Sequence, residues 1–206
     1  MSVSCETAEK EEFFRLIEAT SEQRQALETY AALLTKWQSR INLVGPSTLP
    51  HLWTRHFLDS AQLVAHLPPE GPVLDLGSGA GFPGLIIAIL HGGPVHLVES
   101  DIRKGTFLRE VIRQTGAPAS VHSVRIEALK PFPVCAVTAR ALAPVAKLLE
   151  WAEPFLPGAQ CLFLKGRTCE EELAAVAGLW TMRAGKIPSV TDPSGIILRL
   201  EEVHRG

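Results

Sequence analysis

From residue 71 onward the chain alternates short apolar runs with helical stretches, and the first run leads into a glycine-rich turn, Val73-Leu-Asp75-Leu-Gly77-Ser-Gly79-Ala-Gly81-Phe82-Pro-Gly84. The later runs lie at 95–98, 120–124, 135–138, 161–164 and 196–200, with helical stretches at about 84–91, 103–115, 144–153 and 170–180 between them. Short strands separated by helices are linked by crossovers rather than hairpins. That connectivity predicts a largely parallel sheet with both faces covered, a doubly wound α/β domain over 71–206.

The first 70 residues keep a different rhythm. Ala26, Leu27, Tyr30, Ala31, Leu33, Leu34 and Trp37 recur at spacings of three and four, and Thr20 with Gln23 forms a capping-box signature, which predicts an amphipathic helix over about 20–41. A shorter acidic helix is expected at about 9–18 and a third at 49–67, where Leu52, His56, Leu63 and Leu67 keep helical spacing. Residues 1–70 read as a helical cap on the α/β unit, the whole forming one compact body.

Composition sets the outer limits. In 206 residues, 20 Lys and Arg against 22 Asp and Glu leave a net charge of −2, with 46% hydrophobic residues, which excludes both a disordered chain and a bulk electrostatic coat for nucleic acid. The longest apolar stretch, Phe82 to Leu90, is about half of the ~20 residues a membrane helix needs and contains Pro83 and Gly84, so no membrane association is expected. The acidic start, Cys5-Glu-Thr-Ala-Glu-Lys-Glu-Glu, lacks the layout of an export signal, and a cytoplasmic protein is expected. Cys5, Cys135, Cys161 and Cys169 and the seven scattered histidines show no metal-ligand spacing, so neither a disulfide framework nor a metal site is expected.

In a doubly wound sheet, ligands bind beyond the carboxyl ends of the strands, which directs attention to the glycine turn after 73–76. Glycines let a ligand approach the backbone, and the helix that follows presents its positive end. Gly79-Ala-Gly81-Phe82-Pro-Gly84 satisfies the dinucleotide pattern, and Glu99 follows Gly79 by 20 residues, ready to accept ribose hydroxyls from either a dinucleotide or an adenosyl cofactor. Asp75 favours the second. A carboxylate at the strand end repels a pyrophosphate but accepts hydrogen bonds from an amine-bearing ligand such as S-adenosylmethionine.

Around this turn the blocks Lys36-Trp37-Gln-Ser-Arg40-Ile41-Asn42-Leu43, Arg55-His56-Phe57-Leu58-Asp59-Ser60, Glu99-Ser-Asp-Ile-Arg103-Lys104, Phe107-Leu108-Arg109-Glu110, Arg125-Ile126-Glu127, Ala139-Arg140-Ala141-Leu142-Ala143 and Leu164-Lys165-Gly166 follow in order. Together they resemble the ribosomal RNA small subunit methyltransferase G family (RsmG, formerly glucose-inhibited division protein B), over about residues 30 to 166. The resemblance implies a Rossmann-like, class I S-adenosylmethionine-dependent methyltransferase acting on N7 of a guanine in 16S rRNA, guanine 527 in reference rRNA numbering. It also implies cofactor contacts at Gly77, Phe82, Ile126, Glu127 and Arg140, which join Asp75, Gly79 and Glu99 from the turn itself.

Guanine N7 carries a free in-plane lone pair at neutral pH, so its methylation needs no general base, and no catalytic residue is assigned. Residues 101–147 hold eight Lys and Arg against three acids, a basic patch in an otherwise acidic chain. Arg103, Lys104, Arg140, Lys165 and Arg167, at the ends of predicted strands on the ligand side, are the candidates for phosphate contact with the 16S rRNA or small subunit. Arg55 and His56 in the cap fit either an RNA contact or a brace between cap and sheet, as do Asp59 and Ser60. The four tryptophans read as core, with Trp53, beside Arg55, the one candidate for stacking on a base. A monomer is the default. Two other functions stay open: a non-catalytic RNA-binding assembly factor on the same fold, and an NAD-dependent oxidoreductase, against which the single tyrosine, Tyr30 in the cap, argues.

Overall fold

The computed structural model describes residues 3–206, with side chains from Glu6 onward, so the expectation for Cys5 lies outside the described side chains. Seven strands form one sheet in the order β3-β2-β1-β4-β5-β7-β6. They are β1 (Val73–Leu76), β2 (Val95–Val98), β3 (Ala119–His122), β4 (Ala136–Arg140), β5 (Gln160–Lys165), β6 (Trp180–Pro188) and β7 (Ile196–Arg205). The first five are parallel, and their central members are buried on both faces, as a covered parallel sheet requires.

The helices are α1 (Val3–Ile17), α2 (Ser21–Gln38), α3 (Asp59–Ala61), α4 (Gly84–His91), α5 (Ile102–Thr115), α6 (Val145–Ala152) and α7 (Cys169–Ala174). Local chemistry sets their ends. Thr20 and Gln23 form the expected capping box on α2, the Asp101 carboxylate accepts the Arg103 and Lys104 N–H groups at the start of α5, and Gly116 ends α5 in the left-handed conformation. None of the described helices is long and apolar enough to cross a membrane.

Two sequence expectations need correction. The helix expected over 49–67 is broken into a 3-10 turn (Leu49–His51), a π-helical turn (Trp53–Leu58), α3 and a second 3-10 turn (Val64–His66). Spacing of apolar residues cannot distinguish a widened turn from an α turn, and the widened one buries Trp53, His56 and Phe57 together. The helix expected to residue 180 stops at Ala174, and the chain then forms β6, a mostly exposed edge strand whose Thr, Arg, Gly and Lys hide the strand pattern. β6 and β7 run antiparallel at one edge, and with β1 to β5 parallel the sheet is mainly parallel, as expected.

The cap is continuous with the sheet's core. Phe13, Phe14, Trp53, Phe57, Tyr30 and Phe82 form a chain of ring contacts, with centroids 4.6 Å apart for Trp53–Phe57, 5.2 Å for Tyr30–Phe57 and 5.4 Å for Tyr30–Phe82. Such pairs add about 0.5–1.5 kcal/mol each beyond the area they bury. The cap is thereby fastened to the glycine turn, and it also packs on α4 and α5, where Gln23 donates to the Ile89 and Leu90 carbonyls and Trp37 lies 5.7 Å from Phe107.

Candidate active site

The turn after β1 is fixed from three sides. Gly77 has φ +64°, and a β-carbon there would lie 2.5 Å from Leu142, which packs on it from the segment after β4. Gly81 has φ +100°, and a β-carbon there would meet the Tyr30 hydroxyl at 2.8 Å. That hydroxyl, fully buried, donates to the Ala80 carbonyl at 2.5 Å. At the end of β2, Glu99 accepts the Gly79 N–H at 2.8 Å through Oε2 and the Asp101 N–H at 2.7 Å through Oε1.

Asp75 lies beneath the turn rather than on its open face. Its Oδ1 accepts the Thr138 hydroxyl from β4 at 2.9 Å, while Oδ2, equally buried, has no hydrogen-bond partner among the described residues. Burial pushes its carboxyl up to about 6, and hydrogen bonds and the Arg140 charge recover only part of the cost. Gly84, at the start of α4, leaves room for this carboxylate: a β-carbon there would sit 2.7 Å from Asp75 Oδ2.

Beyond the strand ends opens a cavity of about 470 Å³. The glycine turn and Phe82 line one side, Arg140 and Ala141 the end of β4, Lys165 the end of β5, and the loop between β6 and β7 the far side. The cap closes it with Thr48, Arg55, His56 and Asp59. Arg140 is the hub. Its Nη1 donates to the Asp59 carboxylate and the Arg55 carbonyl, each at 3.2 Å, its Nη2 donates to His56 Nδ1 at 2.8 Å, and its guanidinium lies 4.9 Å above the Phe82 ring. Ala141, next along, is held at φ +49°, a conformation that costs a non-glycine residue energy and marks a constrained site.

The hub fixes the state of His56. A guanidinium only donates, so Nδ1 accepts from Arg140 and the ring proton sits on Nε2, donating to the Thr48 hydroxyl at 2.8 Å. Burial, then the Arg140 and Arg55 charges, depress its pKa to about 3, so the ring is neutral throughout the physiological range. It stacks on Phe82 at 5.1 Å, on a ring that also carries Arg140. Asp59 is equally engaged: besides Arg140 it accepts from Gln62 and from the Thr191 hydroxyl at 2.7 Å.

Of the residues singled out in the sequence, Gly77, Gly79, Phe82, Arg140, Arg55, His56 and Lys165 meet on this cavity. Glu99 adjoins it through Gly79, and Asp75 supports it from below. Ile126 and Glu127 stand apart, in a 3-10 turn after β3, where Glu127 accepts the Trp151 indole N–H at 2.8 Å. Arg103 is exposed and pairs with Asp101 at 3.2 Å, and Lys104 follows it in the first turn of α5. Lys165 is bound to Glu172 at 2.5 Å and donates to the Ala143 carbonyl, which leaves Arg167 as the exposed cation of that strand end. Trp53 is buried among Phe13, Phe14 and Phe57, out of reach of a base. Tyr30, Thr138 and Thr191 were not legible as site residues, since each acts through a contact 50 or more residues away along the chain, and Thr48 was not because its bond to His56 closes a loop and not a helical turn.

Comparison with known proteins places the chain in a family. The family model described as GidB, rRNA small subunit methyltransferase G, matches residues 23–194. The ribosomal RNA small subunit methyltransferase G of Paramagnetospirillum magneticum is 54% identical over 187 residues, covering 90% of this chain and 91% of that one. Its counterpart in Rhodospirillum rubrum is 53% identical over 197 residues, covering 95% and 98%. Among solved structures, P. horikoshii TYW2 in complex with MeSAdo superposes with a TM-score of 0.57 at 14% identity, covering 81% of this chain and 65% of that one. The 23S rRNA methyltransferase ErmE does so at 0.51 and 18% identity, covering 77% and 68%. These two share the fold. The chain belongs to the rRNA small subunit methyltransferase G family, and so to the Rossmann-like, S-adenosylmethionine-dependent rRNA methyltransferases.

Proposed function

We propose that the protein methylates N7 of one guanine of 16S rRNA, guanine 527 in reference rRNA numbering. The observation that carries this reading is the absence, among the described residues of the cavity, of a side chain able to take a proton near neutral pH. His56 is neutral with both ring nitrogens bonded, Asp59 is saturated, Lys165 is held by Glu172, and Asp192, bonded to Ser194, has its carboxyl held below the usual range and so is too weak a base to take a proton near neutral pH. An exocyclic amine or a ribose hydroxyl must lose a proton when methylated, whereas N7 attacks with a lone pair that is already free. In-line placement and dispersal of positive charge then remain as the sources of rate.

The residues present fit S-adenosylmethionine. Turns after β3, β2 and β1 and the end of β4 lie in sheet order, so Ile126 and Glu127, Glu99, Gly77 and Gly79, and Arg140 span roughly 14 Å at the usual strand spacing. That line suits an extended ligand with an adenosyl end and an amino-acid end. Ile126 and Glu127 would hold the base, Glu99 would accept from the ribose hydroxyls, and the bare backbone of Gly77 and Gly79 would admit the remainder beside Phe82 and Arg140. The orphaned oxygen of Asp75, buried beneath the turn beside Gly84, leaves an uncompensated negative charge there that a cationic amine bound on the turn would stabilise without touching it. When bound, the cofactor supplies an electrophilic methyl on a sulfonium.

For the RNA, exposed Arg55, Arg103 and Arg167 are the stronger phosphate contacts, with Lys104 beside them. His56 and Lys165, already bonded, act by shaping the cavity. Residues 1–70 serve as the cap and 71–206 as the methyltransferase unit, the cap contributing Tyr30, His56 and Asp59. The test is transfer of labelled methyl from S-adenosylmethionine to unmodified small-subunit RNA or particles, with the product mapped by strand scission at N7-methylguanine. Label on an exocyclic amine or a ribose would refute the N7 assignment, and no transfer to any small-subunit substrate would refute the activity.

A further inference from the structure

An acidic side chain on a surface that must receive RNA calls for a reason, because it repels every phosphate it faces. Among the described residues two carboxylates line the cavity, Asp59 and Asp192. Asp59 is taken up by Arg140, Gln62 and Thr191. Asp192 is half free. Its Oδ1 accepts the Ser194 N–H and hydroxyl, each at 2.8 Å, which fixes the side chain on the β6–β7 loop. Its Oδ2 has the Arg55 guanidinium at 3.8 Å, beyond hydrogen-bond length, and the side chain is 40% exposed. The Ser194 hydrogen bonds, with the Arg55 and Arg167 charges, hold its carboxyl below the usual range, so it is ionised at neutral pH.

Its place in the fold gives the reason. In the sheet order β1-β4-β5-β7, the glycine turn follows β1, and the 189–195 loop enters β7 opposite Lys165. The turn and Asp192 therefore stand at the two ends of one cavity. Guanine has a matching polarity: N7 lies on one edge of the purine, and N1–H with the 2-amino group on another. A guanine whose N7 faces the glycine turn presents those two donors toward the loop. Adenine would present the lone pair of its N1 instead, and a carboxylate repels it.

We propose that Asp192 selects the target base, its carboxylate accepting the N1–H and 2-amino hydrogens of guanine while N7 faces the cofactor side. This rests on the N7-guanine reading above. A donor lost against an ionised acceptor should lower turnover by roughly tenfold or more.

The experiment places guanine, inosine or xanthine at the target position of a ligated small-subunit RNA and measures single-turnover methylation. Wild type should act at least about tenfold more slowly on inosine, which lacks the 2-amino group. Asp192→Asn keeps its oxygen on Ser194 and turns its amide NH2 to the base, where the O2 of xanthine accepts and the 2-amino group of guanine does not, so its preference should shift from guanine toward xanthine. Calorimetry with S-adenosylmethionine checks that the variant is folded. Equal rates on guanine and inosine by the wild type, an arm that needs no variant, would overturn the assignment. So would a folded Asp192→Asn variant with the wild-type preference. Mapping of the wild-type product separates the two levels: a methyl on another atom overturns the N7 reading and this one with it, whereas N7 product with inosine accepted equally overturns this one alone.

Discussion

Replacing Asp75 by Asn removes a charge from the most deeply buried position around the site and should make the protein more stable at neutral pH. In the fold its carboxyl titrates at about 6, against an ordinary 3.8, because burial disfavours the ionised form. Between those values the folded protein keeps a proton that the unfolded chain has released. Wild-type stability therefore falls as pH rises from about 4 to about 6 and levels above that. At about 1.4 kcal/mol per pKa step, the ionised carboxylate costs roughly 3 kcal/mol above pH 6. An Asn of the same shape can donate to the Thr138 oxygen while that hydroxyl turns to the Leu74 carbonyl, already 3.5 Å away. Urea unfolding at pH 4, 6 and 8 reads the difference, and other carboxylates titrate in both proteins and cancel. The expected excess for Asp75→Asn is up to roughly 3 kcal/mol at pH 8, vanishing near pH 4. A difference that is flat with pH, or a variant less stable at pH 8, would refute the reasoning. The same variant should bind S-adenosylmethionine more weakly, so that the charge is kept for the ligand at the expense of the fold.

Four further outcomes are expected. Gly84→Ala puts a β-carbon against the Asp75 carboxylate and Leu97 and should cost about 1–3 kcal/mol in thermal unfolding. Tyr30→Phe removes the bond to the Ala80 carbonyl, and should lower stability by about 1 kcal/mol and weaken cofactor binding by calorimetry. Arg140→Ala should reduce turnover more than RNA affinity, since the hub joins cap, glycine turn and target; a variant with wild-type turnover would count against it. Arg167→Ala should make the salt dependence of RNA binding shallower by about one ion, whereas Lys165→Ala, which strands Glu172, should instead lower stability.

Much of the sheet was legible because its strands obey strong local rules. β1, β2, β4 and β5 are buried on both faces for most of their length, and such strands read as near-continuous apolar runs, broken here only by Asp75, His96 and Thr138, visible as 73–76, 95–98, 135–138 and 161–164. The capping box of α2 was legible for the same reason, since both its members lie within one turn of chain. β6 was not, because an exposed edge strand is defined by its register with β7 and not by its own composition. Nor was the π turn at Trp53–Leu58, whose apolar spacing passes for an ordinary helix.

The site divides along the same line. Positions read from the glycine turn and the strand ends depend on contacts close in sequence or on the geometry every parallel sheet shares, and Gly77, Gly79 and Phe82 indeed line the cavity. Local chemistry could not show that Arg140 is gripped by His56 and Asp59 from more than 80 residues away, or that Tyr30 reaches across 50 residues to the turn. It could not separate Lys165, neutralised by Glu172, from Arg167, which is exposed two residues later. Hydrophobic period and turn chemistry act over a few residues, so the α/β class and the strand end where the ligand belongs follow from local rules alone. Which polar groups are bound and which are left free to bind depends on partners brought together only by packing, and that the tertiary structure alone decided.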